Sequence, residues 1–222
     1  MFIAIEGTDG SGKGTQTRLL VEYLKKNGKN VHTFDFPRYN NNSFGFIVGR
    51  ALNSEFGDLD KISPYYLVLP YMIDQYLAHR EIAKLSQIEY VICNRYVTTN
   101  FAYMAARIAN QRKRKQFREW LAKAAFEDLG MPKPDLLIVL YVSPRISHKL
   151  LLQKPTPDYL TGNKKKDQFE RDFKYQQEIA RSYLQMVRHN HGWRKVNCMD
   201  KKGNLKSIEE IHKEVVKLVE TV

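Results

Sequence analysis

The chain has 222 residues, two cysteines and a formal net charge of +12 at pH 7. That length is enough to bury a real core and suits a single α/β domain over 1–222, and no apolar run approaches the roughly 20 residues that a membrane helix requires. The basic balance suits polyanionic ligands, but the lysines run from Lys25 to Lys217 without a patch interleaved with aromatics, so neither a membrane nor a nucleic-acid partner is expected.

Residues 2–6 are apolar and run directly into a glycine-rich stretch without a basic flank, which reads as a first strand rather than a leader. After the glycines, Leu19, Leu20, Tyr23 and Leu24 recur at helical spacing, and a glycine cap predicts the helix end near Asn27-Gly28. Further short runs rich in Val, Ile, Leu, Tyr and Phe follow at 31–36, 90–94, 135–142 and 193–198, each separated by helical patterns. One such helix is expected over 65–78, where Leu67, Tyr71 and Leu77 look exposed; the basic run 112–115 reads as a solvated helix face. Cys93 and Cys198 lie far apart in apolar stretches, as buried free thiols do, and point to the cytoplasm rather than to a disulfide framework. Residues 153–166, with Pro155, Pro157, Gly162 and three successive lysines, lack periodicity and are expected to form a mobile flap. The last helix opens on a capping box, Ser207 with Glu210, and carries a stripe of Ile208, Ile211, Val215, Leu218 and Val222. Strands alternating with helices imply a parallel sheet covered on both faces, hence a three-layer α/β architecture with five strands.

The chemistry concentrates in Gly7-Thr8-Asp9-Gly10-Ser11-Gly12-Lys13-Gly14-Thr15. A phosphate group needs many donors at close range, and glycines let consecutive backbone N–H groups turn toward one point. A helix opening at Lys13 adds the positive end of its dipole, and the Lys13 ammonium reaches the β and γ phosphates of a nucleotide. Gly14 stands where such loops carry a serine or threonine hydroxyl for Mg²⁺; Thr15 comes one place later.

With these motifs in view, the chain resembles the thymidylate kinases along nearly its whole length. Phe2-Ile3-Ala4-Ile5-Glu6-Gly7 with Asp9 and Gly12-Lys13-Gly14-Thr15-Gln16 resemble that family's phosphate loop, the Gly-Lys-Gly-Thr part resembling adenylate kinases as well. Phe36-Pro37-Arg38, Asn94-Arg95-Tyr96 with Thr99, Pro132-Lys133-Pro134-Asp135 and Asp167-Gln168-Phe169-Glu170 are similar to the family's later motifs, in the same order. The resemblance implies a P-loop kinase fold with a short lid at about 153–168, and transfer of the ATP γ-phosphoryl group to dTMP with Mg²⁺ bridging the nucleotide phosphates. It implies that residues 7–15 hold ATP, and that Lys13, Arg95 and Asp9 are catalytic. For dTMP it implies Asp9, Phe36, Arg38, Tyr71, Gln75, Arg95, Thr99, Tyr103 and Phe169. The lid cations would be Lys154, Lys164, Lys165 and Lys166, the metal contacts Thr15 and Asp9, the latter directly or through water, and the assembly a cytoplasmic homodimer.

Three positions depart from the family pattern, each at the cost of a charge: Asn94 replaces an aspartate, Gln75 an arginine, and Gln168 another arginine. Charged hydrogen bonds contribute roughly 1.5–3 kcal/mol against about 1 for neutral ones, so these exchanges bear on rate and affinity. Arg38, Arg80 and the lid lysines are candidates for compensation. Two alternatives stay open: a kinase for another nucleoside monophosphate or a deoxynucleoside, and a nucleotide-binding paralogue with reduced catalysis.

Overall fold

The computed structural model describes residues 1–161, 166–190 and 192–222. Five strands, β1 (Phe2–Gly7), β2 (Val31–Asp35), β3 (Tyr90–Asn94), β4 (Leu136–Tyr141) and β5 (Trp193–Asn197), form one parallel sheet in the order β2-β3-β1-β4-β5. Predicted and observed strands differ by single residues at their ends.

Side chains alternate across a strand, so the unbroken apolar run of β1 feeds two separate cores. Phe2 and Ala4 pack with Val91, Cys93, Leu137 and Val139 beneath α3 (Pro64–Tyr76), α5 (Val97–Ala106), α6 (Gln111–Lys123) and α9 (Phe173–His189). Ile3 and Ile5 pack with Ile92, Leu136 and Ile138 beneath α1 (Lys13–Lys26) and α10 (Ile208–Glu220), which contribute Leu20, Leu24, Ile211 and Val215. Each such side chain, fully buried, is worth roughly 1.5–3 kcal/mol, and together they hold β1 at the centre of the sheet. Cys93 and Cys198 are buried free thiols, one in each core.

The helix ends follow their sequence signals. Gly28, at φ 72°, closes α1 with Lys29 N–H reaching back 3.0 Å to the Leu24 carbonyl. At α10, Ser207 Oγ accepts from Glu210 N–H at 3.1 Å and the Glu210 carboxylate accepts from Ser207 N–H at 2.8 Å. The other α-helices of the described residues are α2 (Ser43–Leu52), α4 (His79–Ser86), α7 (Pro144–Gln153) and α8 (Gln168–Arg171), with a 3-10 turn at Leu59–Lys61 and a π-helical turn at Ala124–Asp128. The helix expected over 65–78 ends at Tyr76, and α4 begins three residues later.

Two surface expectations fail. Leu67 and Tyr71 are buried in the core beside α5, and of that trio Leu77 alone is exposed. Within the basic run 112–115, Arg114 is buried, donating to the carbonyls of Ile108 and Ala106 and, at 2.9 Å, to Glu178 of α9. Its guanidinium thus satisfies backbone carbonyls where the chain leaves α5, a role that a run of like charges does not announce. Arg114→Ala strands those acceptors and Glu178, and chemical denaturation is expected to show a loss of about 2–3 kcal/mol; a loss below about 0.5 kcal/mol contradicts the account.

Candidate active site

The site lies at the carboxyl ends of β1, β2 and β3, where open parallel sheets receive ligands. Beyond β1 the chain turns through Gly10, at φ 79°, against α7: a Cβ there would come within 2.1 Å of the Ser147 carbonyl oxygen, so only glycine lets the loop lie this close. Gly12, also left-handed at φ 87°, then launches α1. The first amides of α1 have no intrahelical acceptor and open toward the loop. The Lys13 ammonium is folded back on the loop itself, donating to the carbonyls of Gly7 at 3.1 Å and Thr8 at 2.8 Å.

Arg95 follows β3 in a left-handed backbone conformation, φ 67°, which is costly for a residue with a side chain. That turn brings its guanidinium into an ion pair with Asp9 and over the ring of Tyr103, 5.1 Å from the centroid. Asp9 also accepts from the Tyr103 hydroxyl at 2.9 Å and from Gln176 Nε2 of α9 at 3.2 Å. Burial alone would raise the Asp9 carboxyl, but the Arg95 and Lys13 charges, with the Tyr103 and Gln176 hydrogen bonds, hold it down at about 2. Lys13 moves the other way: burial and the nearby Arg95 charge pull its ammonium down to about 7 against the opposing pull of Asp9. Lys13 and Arg95 therefore share Asp9, with Glu6 also acting on Lys13 and Asp35 on both.

What fixes Arg95 in place is Glu6. Its fully buried carboxylate accepts from Tyr96 N–H at 3.1 Å, Thr98 Oγ1 at 2.6 Å, Thr99 Oγ1 at 2.5 Å and Tyr183 Oη at 2.7 Å. It thereby caps the start of α5 from outside and ties β1 to α9, and a charge there also suits the positive helix end.

In front of this cluster opens a cavity of 390 Å³. Of the residues singled out from the sequence, Asp9, Phe36, Tyr71, Gln75, Arg95, Thr99, Tyr103, Lys154 and Phe169 line it. Arg38 does not; it is bound to the buried Asp74 through its Nε at 2.9 Å. Arg80 is exposed on α4 and likewise outside the lining. Gln75 accepts from Asn100 Nδ2 at 3.2 Å, and Gln168 donates to the Gly57 carbonyl at 2.9 Å while accepting from Leu59 N–H at 3.0 Å. Gln168 thus fastens the start of α8 to the loop after α2.

Lys164 and Lys165 lie outside the described residues; Lys166 is buried and donates to the Lys154 carbonyl at 3.2 Å. Tyr159 stacks on Tyr39, ring centroids 4.2 Å apart, and donates to Asp167 at 2.7 Å, so the segment after α7 covers the cavity. Burial and the Asp9 charge push the Asp167 carboxyl upward, and burial with the Asp167 and Asp9 charges does the same to Glu170. A second cavity, of 380 Å³, is bounded by Gly10, Ser11, Gly12 and Thr15 of the loop region, by Leu205 and Lys206 ahead of α10, and by Lys154, which both cavities share.

Sequence reasoning missed Glu6, Gln176, Asn100 and Asp35. Glu6 had a signal, a lone charge ending an otherwise apolar strand; Gln176 had none, since it reaches Asp9 from a helix 167 residues away.

A parallel sheet, a glycine loop running into α1 and an inward lysine define a P-loop phosphotransferase. The sequence profile described as thymidylate kinase matches residues 5–215. The thymidylate kinase of Mycobacterium tuberculosis is 33% identical over 195 residues, covering 87% of this chain and 89% of its own length. A probable thymidylate kinase of Thermococcus onnurineus is 31% identical over 228 residues, covering 99% and 97%. The solved thymidylate kinase structures from Candida albicans and Ehrlichia chaffeensis superpose with TM-scores of 0.75 and 0.67 at 20% and 21% identity, covering 99% of this chain and 91% and 98% of theirs, and show the shared fold. The chain belongs to the thymidylate kinase family, phosphotransferases that act on dTMP with ATP as co-substrate.

The depressed Lys13 pKa has a measurable consequence. Phosphates favour its charged form, so a site that is mostly neutral at Lys13 above pH 7 must take up a proton when a nucleotide binds. Titration calorimetry of an ATP analogue at pH 8, in buffers of differing ionisation enthalpy, is expected to show uptake of up to about one proton, with affinity falling as pH rises beyond 7. Binding without proton uptake contradicts it.

Proposed function

We propose that the chain transfers the γ-phosphoryl group of ATP to dTMP, giving dTDP and ADP, by positioning and charge stabilisation rather than covalent catalysis. The observation that carries the residue assignment is the cluster of Lys13, Arg95 and Asp9 at the carboxyl ends of the strands, between the glycine loop and a 390 Å³ cavity that Arg95 and Asp9 line. Nucleotide phosphates can pair with the Lys13 ammonium and the Arg95 guanidinium, and a neutral ligand cannot.

In this reading the backbone amides of Gly7, Thr8, Gly10, Ser11, Gly12, Gly14 and Thr15 hold the donor phosphates with Lys13, and the ATP base occupies the 380 Å³ cavity ahead of α10. Lys13, drawn off the carbonyls of Gly7 and Thr8, follows the γ-phosphate. Arg95 binds the acceptor phosphate and stabilises charge in transit. Asp9 accepts from the deoxyribose 3′-hydroxyl, Phe36 and Tyr71 wall the thymine ring, and Thr99, Tyr103 and Gln75 line the base and sugar, with Phe169 beneath the sugar. Arg38, engaged with Asp74, supports the Phe36 wall by lying over its ring at 5.3 Å. The segment at about 153–168 acts as a lid within a single domain, with Lys154 and Lys166 beside the site; the same role for Lys164 and Lys165, outside the described residues, is carried by the sequence resemblance alone.

Mg²⁺ suits the donor set, since the loop offers hard oxygens, among them the Thr15 hydroxyl and the buried, unpartnered hydroxyls of Thr8 and Ser11. The chemistry it would supply when bound is neutralisation of charge on the nucleotide phosphates. Asp9 already serves Arg95, Tyr103 and Gln176, so its part is through water. The enzyme works in the cytoplasm as a homodimer joined through the α2–α3 face, where Phe46, Tyr66 and Leu69 are exposed; among the described residues no helix is long and apolar enough to cross a membrane.

A coupled assay for ADP release with dTMP, dUMP, thymidine and AMP tests the reading. Turnover is expected with dTMP, and Arg95→Ala is expected to lower kcat/KM roughly a hundredfold to a thousandfold. Phosphorylation of thymidine or AMP with dTMP ignored would overturn the acceptor, and ATP binding without transfer to any acceptor would mark a nucleotide-binding paralogue.

A further inference from the structure

Behind the phosphate loop, on the side of α1 away from the second cavity, lies a space of 400 Å³ bordered by Gly14, Thr17, Asp35 and Asn94. Asp35 ends β2 and Asn94 ends β3, and the two are direct register partners. The Asn94 amide nitrogen donates to Asp35 Oδ1 at 2.9 Å. A carboxylate accepts only from the nitrogen of an amide, so this bond fixes which way Asn94 faces. Its Oδ1 is buried, turned the other way and without a donor. The Thr17 hydroxyl, on a residue only 9% exposed, borders the same space and has no partner either. Gly14 leaves room beside them, since a Cβ there would meet nothing within 4 Å.

Unpaired buried acceptors carry a free-energy cost unless something electropositive completes them. None of the nearby cations reaches these oxygens: Arg18, at the rim, pairs with Glu22 at 2.8 Å, Lys13 is turned to Gly7 and Thr8, and Lys25 borders the space without donating to Asn94 or Thr17, while Lys13 and Arg95 act on Asp35 only through their charge. Asp35 is exposed and borders both this space and the main cavity, so its carboxylate stands between the first turn of α1 and the Arg95 side of the site. Hard oxygen donors, one of them charged, beside the loop and with space for water, match what a hydrated Mg²⁺ requires.

We propose that Asp35, held by Asn94, supplies a protein carboxylate, in addition to Asp9, to the water shell of the nucleotide-bound divalent cation, with Thr17 completing the pocket. Asn94 is a positioning residue in this arrangement, and Gly14 provides the space. The proposal rests on the reading that the loop binds a metal–nucleotide complex, and its test is separable from that reading.

Mn²⁺ serves as the probe, titrated by electron paramagnetic resonance into the full chain with a non-hydrolysable ATP analogue. Asp35→Asn is expected to weaken Mn²⁺ at least about tenfold in the ternary complex, with no weakening of the metal-free analogue. Exchanging the two partners, Asp35→Asn with Asn94→Asp, returns the carboxylate to the same bonded pair and is expected to restore Mn²⁺ affinity to within about threefold. Mn²⁺ affinity within twofold of the parent in Asp35→Asn would overturn the proposal, as would an equal loss of metal-free analogue binding or a loss the exchange does not restore. A parent chain that binds Mn²⁺ in this Asp35-dependent way but ignores dTMP would sink the reaction assigned above and leave the metal pocket standing.

Discussion

The structure depends on an electrostatic imbalance held in place by packing. Lys13 and Arg95 are brought out of water beside Asp9, and burial together with the Arg95 charge lowers the Lys13 ammonium to about 7 against the pull of Asp9 and Glu6. Such an arrangement persists because neighbouring elements hold it, and it is relieved when an anion with several charges arrives. A nucleotide phosphate is that anion, and the loop amides at the start of α1 point to where it would sit.

Holding the imbalance requires rigid supports on three sides. The double core pins β1, so the loop that follows starts from a fixed point. Glu6 fastens the beginning of α5, and with it the left-handed turn at Arg95, while the same carboxylate takes the Tyr183 hydroxyl from α9. From α9, Gln176 reaches Asp9, closing a ring of contacts through β1, α5 and α9. Four hydrogen bonds satisfy Glu6, so its carboxylate needs no ion pair of its own with Lys13 or Arg95.

Much of this was legible in the sequence, because it follows from local rules. The apolar runs located all five strands to within a residue at their ends, and the Ser207 box and the Gly28 cap marked helix ends, since caps depend on a few adjacent residues. The glycine loop announced its chemistry for the same reason. What stayed hidden depends on long-range packing. Arg114 looked like one of four solvated cations and is buried on carbonyls; Leu67 and Tyr71 looked like a surface and line the core. The exchanges that looked like plain losses of charge gain partners: Gln168 ties α8 to the loop after α2, and Asn94 braces Asp35 from the adjacent strand, a register that no local pattern reveals. Residues 164 and 165 fall outside the described residues, so their part in the lid is argued from sequence alone.

The account stands or falls on whether the buried ammonium at the head of α1 meets nucleotide phosphate. Lys13→Met keeps most of the side-chain volume and removes the charge, and single-turnover transfer from labelled ATP to dTMP measures its effect. Transfer slowed by about a thousandfold or more, with the fold intact by circular dichroism, is the predicted result; transfer at the parent rate would contradict it.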